Sequence, residues 1–167
     1  PEGARLLRLS VELAKRARER TGGNGLVAGS VGLYGVVWAD GTEYTGDYSR
    51  ATDDQIAETQ RSRMRELLAA GPDLLAIETI GNRREAAILA ELLAELPDTE
   101  AWISFCCRDG GHLSDGTPIG DAIRAAGRTD RVTAFGINCT RPQHIDSLLI
   151  AARRATELPL LVYPNHG

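Results

Sequence analysis

Residues Asp73–Leu96 read DLLAIETIGNRREAAILAELLAEL. The first seven, 73–79, are apolar on both alternating faces until Glu78 and Thr79 close the run. A strand with no polar alternation must be covered on both sides, which is the habit of a parallel sheet flanked by helices. Asn82 with Glu85 three residues on gives a capping-box spacing, and a helical pattern follows at once in AAILAELLAEL. Strand, short turn and helix therefore form one β/α unit, and its carboxylate stands at the carboxyl end of the strand.

The same unit recurs on both sides. GLVAGSV (25–31), AWISFCC (101–107), RVTAFGINC (131–139) and LPLLVYP (158–164) read as four further strands. Between them lie helical patterns. Leu6, Leu9, Leu13 and Ala17 share one face of an opening helix. Thr52 and Gln55 cap a helix carrying Ile56, Gln60, Met64 and Leu67, which Gly71-Pro72 stops. A short helix is expected from Thr117-Pro118, and Thr140 with Gln143 caps one carrying Ile145, Leu148, Leu149 and Ala152. The 32–51 segment, rich in Gly, Tyr and Asp, shows no periodicity; a loop of this length is functional or disordered. Five strands alternating with helices fit either an open doubly wound sheet or part of a (β/α)8 barrel. A whole barrel needs about 200 residues or more.

The 167 residues are 43% hydrophobic and 25% charged, with a formal charge of −4. These values fit a soluble globular chain. Without a Lys/Arg cluster, nucleic acid and anionic membranes are poor partners. No run reaches the roughly 18 apolar residues of a membrane span, and no signal peptide opens the chain. Three cysteines, two of them adjacent, do not suggest a disulfide framework, and a reducing cytoplasm fits them better. Pro1 and the abrupt YPNHG give both ends a cut look.

In both architectures ligands sit at the carboxyl ends of the strands. Those ends carry Ser30 between Gly29 and Gly32, Glu78 with Thr79, Ser104 through Cys107, Asn138 with Cys139, and Tyr163 with Asn165. Glu78 either clamps a ligand's ammonium group or serves an arginine or a helix N-terminus. Cys139 is either a small core residue, a thiolate ligand for a metal, or a nucleophile with His144 as base. Spacing alone shows no metal, because neither CxxC nor HExxH occurs. Successive strand residues point to opposite faces, so at most one of Cys106 and Cys107 shares the rim of Cys139. The glycines at 29, 32 and 35 form G-x-x-G-x-x-G, which is not the dinucleotide fingerprint. His112 and His166 read as surface histidines in polar loops.

LVAGSVGLYGVVWADGTEYTGDY (26–48), DLLAIET (73–79), WISFC (102–106), GINCT (136–140) and LLVYPNHG (160–167) together resemble the homocysteine S-methyltransferases, the S-methylmethionine-dependent branch above all. The resemblance runs over nearly the whole chain. It implies a partial (β/α)8 TIM barrel of about five β/α units, the third to seventh strands of eight, so that 1–167 is a single incomplete homocysteine-binding domain. It implies transfer of a methyl group from S-methylmethionine or S-adenosylmethionine to homocysteine, giving methionine, with a zinc ion as cofactor. Cys139 is then a zinc ligand, Glu78 binds the amino group of homocysteine, and Asn138 and Ser30 line the site.

The chemistry suits that assignment. A thiol with a pKa near the free-cysteine value of about 8.5 is mostly protonated at neutral pH, and zinc coordination strips the proton. A sulfonium methyl is already activated, so alignment of the two sulfurs is what remains. Tyr34, Trp38, Tyr44 and Tyr48 of the 32–51 segment are expected to face the sulfonium cation.

Departures from the family pattern set further expectations. The Asp-Gly-Gly element of the first strand and the Gly-Gly-Cys-Cys element that supplies two more zinc ligands are absent. Leu33 replaces a usual proline, Cys106-Cys107 stand where small or hydroxyl residues are usual, and His166 replaces a small residue. A site with one cysteine binds zinc weakly, although Cys106 or Cys107 is a possible substitute ligand. The chain alone is therefore expected to be inactive, with two exposed sheet edges that favour aggregation or oligomers. The rival reading is a non-catalytic domain that binds a small amino acid or a protein partner.

Overall fold

The computed structural model describes residues 2–96 and 98–165; His166 lies outside them. Five strands form one sheet: β1 (Ala28–Gly32), β2 (Leu74–Ile80), β3 (Ala101–Phe105), β4 (Val132–Asn138) and β5 (Leu160–Tyr163). The order is β1-β2-β3-β4-β5 and every pair is parallel. A doubly wound sheet reverses its strand order at a switch point. This one never does, so the sheet is an arc of a barrel.

The pairing register sorts the strand residues onto two faces. Val31, Ile77, Ile103 and Phe135 lie in register on one face, continued by Phe105 and Ile137, and all are buried. The helices cover this side: α3 (Asp53–Leu68), α4 (Arg83–Ala94), α5 (Ile119–Ala126) and α6 (Ile145–Arg153). Each fully buried aliphatic or aromatic side chain contributes about 1.5–3 kcal/mol, so this layer holds the arc together. Ser30, Ala76, Trp102 and Ala134 lie in register on the opposite, concave face. The pairs Ser104 with Gly136, Gly136 with Leu161 and Asn138 with Tyr163 extend it toward the strand ends. Most of these residues are small, which leaves the concave side open.

The caps follow the sequence in part. Thr52 and Gln55 make the reciprocal capping box at α3. Asn82 caps α4 by accepting from Glu85 N, but the Glu85 side chain turns inward instead of returning to Asn82. Thr140 does not cap α6, which is entered through a 3-10 turn at Pro142–His144. Its hydroxyl is engaged elsewhere, accepting from Cys107 N and donating to Asn138 O.

The first helix, α1 (Glu2–Thr21), buries a different stripe from the one expected. Val11 is buried and Leu7 packs on the core, while Leu6 and Leu13 are 49% and 53% exposed. Lys15 and Arg18 fix this rotation: Lys15 Nζ donates to Ala70 O and Gly71 O past the end of α3, and Arg18 pairs with Asp73.

The 32–51 segment is ordered. It contains a 3-10 turn at Tyr34–Trp38 and the one-turn helix α2 (Thr42–Thr45). Among the described residues no helix is long and apolar enough to cross a membrane.

Candidate active-site rim at the strand ends

Glu78 and Thr79 both stand opposite the single residue Ser104, because the β2–β3 register slips between Ile77 and Ile80. This β-bulge frees a backbone N–H and re-aims the side chains around it. The parity of β2 puts Glu78 on the concave face with Ala76. Ser30 Oγ donates to its Oε1 at 2.5 Å, and Tyr163 OH donates to its Oε2 at 3.0 Å. The carboxylate is thus held from both sides by hydroxyl donors, and among the described residues no arginine pairs with it.

Thr79 takes φ 67°, in the left-handed region. That conformation is costly for a β-branched residue and persists only where surrounding contacts enforce it. Asn138 enforces it here. Its Oδ1 accepts from Thr79 N at 3.0 Å, and its Nδ2 donates to Thr79 Oγ1 at 2.8 Å. Asn138 is on β4 and Thr79 on β2, so the amide spans the end of β3.

Cys139 is also left-handed, at φ 47°. Its thiol is exposed, with Asn138 Nδ2 at 3.5 Å and Thr79 Oγ1 at 3.8 Å from Sγ. The arrangement brings together all four residues expected from the sequence: Ser30 binds Glu78, Glu78 adjoins Thr79, and Thr79 is stapled to Asn138 beside Cys139.

Of the two neighbouring cysteines, only Cys106 reaches this rim. Its thiol donates to Cys139 O at 3.3 Å, and burial pushes it above the ordinary thiol range. Cys107 is buried and more strongly raised, again by burial. Among the described residues no hydrogen bond joins His144 to Cys139. Nor do three or more His, Cys, Asp or Glu residues gather as a possible metal site there. Cys139 offers an exposed sulfur at the rim, of the kind that ligates zinc, while the described residues do not make a complete set of ligands.

Of the expected aromatic lining, Tyr44 is exposed and the other three rings turn to one another. Tyr34, Trp38 and Tyr48 pack edge-on against one another, with ring centroids 5.1–5.9 Å apart. Tyr34 and Tyr48 belong to the core, and Tyr48 is only 2% exposed. The cation over Trp38 is Arg50, 4.5 Å from the ring centroid.

Beneath this cluster lies Glu85, which the sequence reading treated as a cap. It is fully buried and accepts from Tyr34 N at 2.7 Å, Tyr48 OH at 2.8 Å and Gln60 Nε2. Burial raises its pKa, while these three donors and the nearby Arg63 oppose the rise. Glu85 thereby ties the 32–51 segment to α3 and α4. Capping-box spacing is the same whether the glutamate folds back or inward, so the sequence held no signal for it.

In the sequence Tyr163 has no mark beyond being a polar strand end. In the structure its hydroxyl also meets Ser104 Oγ at 2.6 Å and Trp102 Nε1 at 3.4 Å. Burial, with the neighbouring Glu78 carboxylate, pushes its phenol above the ordinary value and keeps it a neutral donor.

Comparison with known proteins identifies the family. The family profile described as homocysteine S-methyltransferase matches residues 1–167. The chain is 42% identical over 175 residues to homocysteine S-methyltransferase YbgG of Bacillus subtilis, covering 99% of this chain and 55% of that protein. It is 46% identical over 168 residues to the homocysteine S-methyltransferase of Escherichia coli, covering 97% of this chain and 54% of that one. The crystal structure of the metallated form of the E. coli homocysteine methyltransferase MmuM superposes with a TM-score of 0.91 at 45% identity. That match covers 98% of this chain and 59% of the other. The chain thus spans about half the length of the curated relatives it matches. With the whole of its sequence inside the family profile and its barrel arc superposed on a solved relative, the chain belongs to the homocysteine S-methyltransferase family.

Proposed function

We propose that this chain, 1–167, forms the homocysteine-binding portion of a barrel that moves a methyl group from a sulfonium donor to the homocysteine sulfur, giving methionine. One observation carries the reading. A carboxylate held by two hydroxyls, Glu78, shares a rim with the exposed thiol of Cys139, and Asn138 bridges the two positions.

In this reading Glu78 receives the ammonium group of the amino acid. An ionised carboxylate has about four acceptor positions, and Ser30 and Tyr163 occupy two of them. The remainder face the ligand. Asn138 holds the Thr79 and Cys139 turns rigid, which fixes the distance between the amine end and the sulfur end. Orientation of this kind is the main contribution a protein makes when the methyl group is already activated.

Cys139 is proposed as one ligand of a zinc ion whose other ligands lie outside these 167 residues. Zinc supplies acidity, so that the incoming thiol is held as a thiolate at neutral pH. S-methylmethionine is the proposed donor and S-adenosylmethionine the alternative. Three free thiols support a reducing, cytoplasmic setting.

The lack of three clustered ligand-type residues among the described ones favours a second reading for the chain by itself: a domain that binds a small amino acid without turnover. One experiment addresses both readings. Zinc content and methionine formation are measured in the complete protein, native and as Cys139→Ser and Glu78→Gln. Loss of zinc in C139S and a raised homocysteine KM in E78Q are expected. Equal zinc in C139S and the native protein removes Cys139 from the ligand set, and methionine formation at the native KM in E78Q removes Glu78 from the clamp.

A further inference from the structure

We propose that Tyr163 is a positioning residue that sets selectivity for an amino-bearing acceptor, by donating its proton to Glu78 across the concave face. This inference rests on the reading of Glu78 as the ammonium clamp.

The direction of the protons follows from the donor inventory. An ionised carboxylate only accepts, so Tyr163 must spend its single proton on Glu78 Oε2. Ser104 must then donate to the Tyr163 oxygen at 2.6 Å, and Trp102 Nε1–H, which can only donate, points at the same atom. Ser30 donates to the other carboxylate oxygen. Every proton in the network runs toward Glu78, and none is offered by Glu78 in return. A carboxylate so supplied is kept as an acceptor for a cationic partner, and a neutral hydrogen-bond acceptor finds no donor there.

Tyr163 is on β5 and Glu78 on β2, three strands apart. The reach is possible because β4 carries Gly136 on the concave face. A Cβ at that position would lie 2.5 Å from Leu161 Cδ1 and 3.0 Å from Leu161 O, so Leu161 already leans over the glycine. Tyr163, two residues further along the same face, follows the same path to Ser104 and then to Glu78. Ser30 fixes one carboxylate oxygen from the near side and Tyr163 fixes the other from the far side. With both held, the side chain has one orientation to offer.

The test compares homocysteine with 4-mercaptobutyrate, which keeps the thiol and carboxylate and lacks the amine. Dissociation constants for both are measured by calorimetry in the complete protein, native and as Tyr163→Phe and Glu78→Gln, together with the KM and kcat for homocysteine at saturating S-methylmethionine. Y163F is expected to lower the preference for homocysteine about tenfold, the order of one hydrogen bond to a charged group, with kcat within about twofold. Thermal stability alone cannot mimic this result, because a general loosening weakens both ligands alike. An unchanged preference in Y163F beside a collapsed preference in E78Q overturns the role of Tyr163 and leaves the clamp standing. An unchanged preference in both variants, or no preference in the native protein, overturns both. If Y163F fails to fold, Ser104→Ala replaces it: a preference lowered about threefold supports the network, and an unchanged one refutes it.

Discussion

Replacing Asn138 by alanine removes the amide that holds two left-handed turns. The consequences can be worked bond by bond. Thr79 N–H loses its acceptor in a part-buried setting, and a donor left unsatisfied costs about 1–3 kcal/mol. Thr79 Oγ1 loses a donor at 2.8 Å, a net loss of about 1 kcal/mol. Against this, a relaxed turn releases part of the strain at Thr79 φ 67°, which is of order 1–3 kcal/mol. The balance is a destabilisation of about 2 kcal/mol, or a fall in melting temperature of roughly 3 °C for a barrel about twice the length of this chain. Circular dichroism melts of the complete protein measure it. Asn138→Asp separates the two jobs of the amide. The aspartate still accepts from Thr79 N, so the melting loss should be smaller than in N138A. It places a carboxylate where Nδ2 faced Cys139 Sγ, and its negative charge opposes the charge that the sulfur carries as it reacts, so iodoacetamide alkylation of Cys139 should slow severalfold. If N138A melts within 1 °C of native, or if N138D is alkylated at the native rate, Asn138 does not act as described.

Gly136→Ala forces a methyl group to within 2.5 Å of Leu161 Cδ1; an overpacking cost of about 1–3 kcal/mol is expected, with weaker homocysteine binding as β5 is pushed away, and native melting with native binding would contradict it. Tyr48→Phe strands Gly35 N and removes a donor from Glu85, so it should destabilise by about 2 kcal/mol while leaving the KM for the sulfonium donor unaltered. A raised donor KM at native stability would return this ring to the substrate site. Because the folded-state pKa of Glu85 is raised, the stability it contributes is fully present below its ordinary value of 4.5 and is lost as pH rises through the higher folded value. Glu85→Gln should therefore flatten the decline in stability on the alkaline side of pH 4.5, and parallel pH–stability curves for the two proteins would refute the assignment. The 167-residue chain made alone is expected to transfer no methyl group, since its described residues hold no complete ligand set; methionine formed by it would overturn that.

The strands were legible because each is a nearly continuous apolar run, and burial on two faces leaves no other way to read them. Their order was open until the register was seen, since doubly wound and barrel sheets share the same β/α units. Leu26 shows the boundary error: it was read as part of β1 and lies outside it, 75% exposed. The α1 face was misread because four apolar residues at helical spacing looked decisive, whereas Lys15 and Arg18 set the helix rotation through polar contacts. Ser30, Glu78, Asn138 and Cys139 were readable as polar groups ending apolar runs. The bulge at Glu78–Thr79 and the leaning of Leu161 over Gly136 were not, because both depend on how neighbouring strands register, and that information is not local to any stretch of the chain.

The sequential strand order also bears on how the chain acquires its shape. Ala28 pairs with Leu74, a separation of 46 positions, and the later pairings are closer still: Leu75 with Ala101, Ala101 with Val132, Phe135 with Leu160. Each strand thus meets a partner that was synthesised just before it. Such a chain can assemble in the direction of translation, one unit docking on the last, without waiting for its distant C-terminal end.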